Sequence, residues 1–92
     1  MSVTYDLEIY GRVFGVGFRR YVDRIAKEHD VKGYVENDWT KGCVHVVVQG
    51  DNDIVDIFVT ECIKGPQLAD VVSHVRKSID EPDSYHEFIQ YR

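Results

Sequence analysis

The sequence predicts an α+β fold of the ferredoxin-like, split βαβ kind: βαββαβ plus a short C-terminal strand, with an antiparallel sheet and two helices on one of its faces. Three observations predict it. Several stretches alternate apolar and polar residues with period two. Two others carry apolar residues at helical spacing. The order strand, helix, strand occurs twice, with a hairpin turn between the halves.

The first strand is read over Thr4 to Arg12, where Tyr5, Leu7 and Ile9 point one way and Thr4, Asp6, Glu8 and Tyr10 the other. A loop follows from Val13 to Phe18. A helix over Phe18 to His29 places Phe18, Val22, Ile25, Ala26 and His29 on one face, with no Gly or Pro to interrupt it. Val31 to Asn37 reads as the second strand, Asp38 to Gly42 as a hairpin turn and Cys43 to Gln49 as the third strand, with Val44, Val46 and Val48 on one face. The second helix spans Asp53 to Lys64. Acids at its start suit the positive end of the dipole, and Gly65 and Pro66 stop it. Its apolar stripe is read as Ile54, Ile57 and Phe58. A fourth strand lies within Leu68 to Lys77, with broken alternation around Val71, Val72 and Val75 that suggests a bulge. Asp80 to Ser84 is a polar turn, and Glu87 to Tyr91 a final short strand.

Length and composition restrict the function. Residues 1–92 make one domain, able to bury one modest core. No apolar run approaches a membrane span, and the N-terminus has no apolar signal region, so a cytoplasmic protein is expected. Cys43 and Cys62 form no CxxC motif and are read as reduced, partly buried thiols. The net charge of −5 argues against a nucleic-acid surface. Within that acidic chain, Arg12, Arg19, Arg20 and Arg24 against Asp23 make Tyr10 to Arg24 a basic segment, where an anionic ligand could sit.

That segment contains GRVFGVGFR, Gly11 to Arg19. A strand ends, a Gly-rich loop turns, and a helix begins, so several backbone N–H groups can face one point beside the helix's own free donors. Arg19 in the first turn can set its guanidinium fork on two phosphate oxygens. The GK[ST] ending of a P-loop is absent. Taken alone, glycines before a helix signal only a tight turn.

GRVFGVGFR resembles the acylphosphatase signature, usually GxVQGVxFR. Further on, GYVEN, Gly33 to Asn37, is similar to that family's GxVxN element, and Gly42 with Val44, Gly50, the Lys64–Pro66 KGP and the Phe88–Tyr91 ending fall in the expected order. The resemblance covers nearly the whole chain. It implies hydrolysis of acyl phosphates, the mixed anhydrides of a carboxylic acid and phosphate. Backbone amides of Phe14, Gly15, Val16, Gly17, Phe18 and Arg19, with the Arg19 side chain, would hold the phosphate. Asn37 would orient the attacking water, and no metal or other cofactor would be needed. Inorganic phosphate or sulfate would compete, and a free-standing monomer is expected. Two departures stand out: Phe14 replaces the usual Gln, and the turn between Asn37 and Gly42 is one residue longer than is common. They motivate the alternative of a catalytically weak anion-binding or interaction module that keeps the cradle.

Other residues offer less. His29, His45, His74 and His86 lack metal-ligand spacing, and no serine sits in a nucleophile elbow. Tyr5, Tyr10, Phe14 and Tyr21 are not part of an RNP1-like run. Trp39 in the hairpin turn is a candidate contact residue.

Overall fold

In the computed structural model, which describes residues 1–92, the elements are β1 (Ser2–Arg12), α1 (Phe18–Glu28), β2 (Lys32–Asp38), β3 (Cys43–Asp51), α2 (Asn52–Lys64), β4 (Asp70–Ser78) and β5 (Phe88–Gln90). This is the predicted βαββαβ order with its terminal strand, a ferredoxin-like α+β arrangement. The strands form one sheet in the order β4-β1-β3-β2-β5. β1 pairs antiparallel with β3, from Ser2↔Asp51 to Ile9↔Val44, and β4 and β2 add antiparallel at either side of that pair.

The fifth strand departs from an all-antiparallel sheet. β5 runs parallel to β2, with Gly33 opposite Phe88 and Val35 opposite Gln90. Direction explains this. β4 and β2 run oppositely, so a strand entered from the end where β4 stops must run with β2. The connecting segment crosses that end of the sheet strand by strand. Ile79 N–H donates to the Thr4 carbonyl at 2.9 Å, Gln49 Nε2 to the Asp83 carbonyl at 2.8 Å, and Gly33 N–H to the Glu87 carbonyl at 3.0 Å. Thr4, expected on the polar side of β1, is buried there and accepts from Gln49 Nε2. The expected bulge lies at Val72: pairing moves from Tyr10↔Ser73 to Gly11↔Val71, leaving Val72 unpaired and exposed.

One face of the sheet and both helices enclose a single apolar cluster. Leu7, Ile9, Val35, Val44, Val46 and Val48 meet Val22, Ile25 and Ala26 of α1 and Val55, Phe58 and Val59 of α2. The α1 face is as predicted, except that the helix ends at Glu28, with His29 as its cap. The α2 stripe is corrected. Val55, Phe58, Val59 and Cys62 are buried, while Ile54 and Ile57 are 39% and 52% exposed. Extending the Ile54–Ile57 line by whole turns meets Glu61 and Lys64, whereas the Val55–Phe58–Val59–Cys62 face stays apolar throughout. Cys43 and Cys62 are both free and buried. Cys62 lies in the core cluster, and Cys43 lies outside it, on the alternate side of β3 from Val44.

The opposite face of the sheet is polar. His45 of β3 lies between Glu36 of β2, 2.8 Å from Nδ1, and Asp6 of β1, 3.0 Å from Nε2. Tyr34 meets its ring edge-on at 5.7 Å. Burial alone would lower the His45 pKa, but the two carboxylates together outweigh it and hold the pKa above its usual value. Only the imidazolium can donate to both. Nearby, Glu8 accepts from Lys41 Nζ at 2.7 Å and from the Tyr10 hydroxyl at 3.0 Å. That bond to Glu8, with some burial, pushes Tyr10 up to about 12.

Two outcomes follow from this packing. Phe58→Ala should destabilise the protein by about 3–5 kcal/mol and Ile57→Ala by less than about 1 kcal/mol in urea unfolding, and similar losses would restore the predicted stripe. The His45 clamp contributes most below the unfolded-state pKa near 6.5, and its contribution fades as pH rises through the raised folded value. His45→Gln should therefore lower Tm more at about pH 6 than at about pH 9, and equal losses at both would refute the clamp.

Candidate active site

The end of β1 and the start of α1 are joined by the loop 13–17. Val13 and Phe18, at its two ends, are each only 2% exposed and belong to the core cluster. Between them the chain must turn sharply, and Gly15 and Gly17 do so with φ of 69° and 78°. A Cβ at either would meet nothing within 4 Å, so these glycines are required by backbone conformation and not by space. Gly17 is also the N-cap of α1, and no side chain caps the helix. Left-handed residues placed this way turn neighbouring amides to one side.

These amides have no internal partners. The first backbone bond of α1 runs from Tyr21 N–H to the Gly17 carbonyl at 3.0 Å, and no main-chain carbonyl accepts from any amide between Phe14 and Arg20. An unpaired row of donors at a helix N-terminus, with its positive dipole, favours an anion. Beside the loop opens a cavity of about 230 Å³. Val13, Gly15 and Gly17 line it from the loop, and Phe18, Arg19 and Arg20 from α1. Asn37 comes from the end of β2, and Gln90 from β5. Arg19 Nη1 donates to the carbonyl of Tyr91 at 2.7 Å, so the guanidinium is braced by the chain just after β5.

Asn37 reaches the cavity by a different route. It stays in the ladder opposite Val44. The hairpin turn is closed on Asp38, whose carbonyl accepts from Gly42 N–H at 2.8 Å and whose Oδ1 accepts from Lys41 N–H at 3.0 Å. Asn37 thus keeps its place in β2, ahead of that turn.

Of the residues singled out from sequence, Gly15, Gly17, Phe18, Arg19 and Asn37 line this one cavity, while Phe14 and Val16 do not. The side chains of Phe14 and Val16 pack against the core, leaving them their amides to contribute. Arg20 and Gln90 were not singled out. Arg20 was visible only as one cation among four. Gln90 is brought in by the parallel pairing of β5, which no local pattern signals. His45 is engaged elsewhere, on the opposite face of the sheet.

Fold and site together define a ferredoxin-like domain with an anion-receptive pocket at the amino end of its first helix. Residues 5–89 match the family model described as Acylphosphatase. An acylphosphatase of a Nocardioides species is 44% identical over 71 residues, covering 77% of this chain and 71% of the relative. One from Thermotoga maritima is 39% identical over 82 residues, 89% of each. The crystal structure of acylphosphatase from Bacillus subtilis superposes with a TM-score of 0.88 at 27% identity, covering 94% of both chains. The chain belongs to the acylphosphatase family and is an enzyme of that kind. No helix is long and apolar enough to cross a membrane.

Proposed function

We propose that the pocket between the Val13–Gly17 loop and Asn37 hydrolyses acyl phosphates by direct attack of water on phosphorus. The phosphoryl oxygens lie against the amides of Phe14 to Arg19, with the Arg19 guanidinium on a further pair of positions. The carboxamide of Asn37 holds the water in line with the leaving group. Water oxygen bonds to phosphorus, the bond from phosphorus to the bridging oxygen breaks, and the carboxylate departs with that electron pair. The water's proton passes to a phosphoryl oxygen of the substrate, because an amide side chain takes up no proton near neutrality. A carboxylate leaves readily, so neither a strong general acid nor a metal is needed. The protein's work is positioning and neutralising charge. Inorganic phosphate and sulfate present the same tetrahedral oxygens and compete. We infer a monomer working in the reducing cytoplasm, where buried thiols such as Cys43 and Cys62 stay free.

The observation that carries this reading is the run of unpartnered amides from Phe14 to Arg20 beside a cavity that Arg19 and Asn37 share. Arg19→Ala and Asn37→Ala should each cut kcat/KM for benzoyl phosphate by about a hundredfold or more, with unchanged far-UV circular dichroism and a parent rate indifferent to EDTA. The two should part on inhibition. Arg19→Ala weakens competition by inorganic phosphate, whereas Asn37→Ala, which touches the water, leaves it nearly intact. Unchanged turnover in either variant removes that residue from the mechanism.

A further inference from the structure

The two places where this chain departs from its family's motif meet in one contact. Phe14 stands where the signature usually has Gln, and Trp39 lies in the turn that is one residue longer. Their rings are 4.3 Å apart between centroids, tilted by 38°. Phe14 is partly buried against the core, which fixes one side of the pair. Trp39 is 70% exposed, so much of the indole stays open to solvent.

The position of this pair relates it to the pocket. Val13 and Gly15, on either side of Phe14 in the chain, both line the cavity, as does Asn37, two residues before Trp39. The pair therefore spans the loop that offers the amides and the turn that follows Asn37. Phosphate bound on those amides leaves the acyl group of the substrate to extend outward past the rim. An apolar wall there gains little from an acetyl group but can cover a phenyl ring or a branched chain.

We propose that Phe14 and Trp39 form the subsite for the acyl portion of the substrate and select aromatic or bulky apolar acyl phosphates. This rests on the phosphate-cradle reading of the pocket. Phe14 supplies the fixed backing, and Trp39 presents the surface on which the acyl group lies. Trp39 is a specificity-determining residue in this scheme, with no part in activating water or holding the phosphoryl oxygens.

The test is the ratio of kcat/KM for benzoyl phosphate to that for acetyl phosphate, in the parent and in Trp39→Ala. The ratio should fall by more than about threefold in the variant, the scale of one lost aromatic contact. A smaller fall or a rise overturns the proposal, and an equal loss on both substrates would mean that the pair only ties the loop to the turn. Trp39 is the sole tryptophan of the chain, which provides a second measurement on the parent alone. At equal occupancy, benzylphosphonate should change its fluorescence more than methylphosphonate, and equal responses count against the subsite. Should the parent hydrolyse neither acyl phosphate, the cradle reading fails and the subsite with it. Acetyl phosphate hydrolysis with an unmoved ratio sinks the subsite alone.

Discussion

A row of main-chain donors with no acceptor inside the protein cannot hold its own shape, so it must be held from its ends. That constraint organises this molecule. Val13 and Phe18 are buried in the core at the two ends of the loop, and the left-handed glycines Gly15 and Gly17 take up the turn between them. A free loop would instead relax toward internal hydrogen bonds. The hydrophobic burial of two side chains thus keeps an otherwise unfavourable arrangement of amides in place before any ligand arrives, and preorganisation of that kind lowers the cost of binding charge.

The rest of the fold supplies what the loop lacks. α1 begins at the loop, so its free first-turn amides and its dipole add to the same point. β5, set parallel at the far edge, brings Gln90 to the cavity and the Tyr91 carbonyl to the Arg19 guanidinium. β2 ends at the cavity with Asn37, ahead of the turn closed on Asp38. The remaining face of the sheet carries a self-contained polar network around His45, separated from the site by the sheet itself. Local positive charge on an acidic chain favours anions along the segment that carries the loop and the start of α1.

Much of this is legible in the sequence because it is encoded locally. The alternation of Leu7 and Ile9, the α1 face of Val22, Ile25 and Ala26, and the Gly65–Pro66 stop each depend on neighbours within a few residues. So does the Gly-rich junction before Arg19. What is not legible depends on choices between comparable local options or on distant pairing. Ile54 and Ile57 look as apolar as Val55 and Val59, and only the continuation of each face to Glu61 and Lys64 or to Cys62 decides which turns inward. The direction of β5, and with it Gln90 at the cavity, follows from where β4 ends. Thr4 is buried because a segment some eighty residues along the chain crosses over it. Phe14 is visible as a departure from a motif and Trp39 as a lone aromatic in the turn, but their contact is visible only in three dimensions.

The most direct measurement is an amide-resolved NMR titration of the protein with inorganic phosphate. Residues Phe14 to Arg19 should show the largest saturable shifts, moving together with one dissociation constant, while amides around His45 stay still. Shifts scattered over the surface, or a loop whose amides do not respond to phosphate at saturating concentration, would contradict the account.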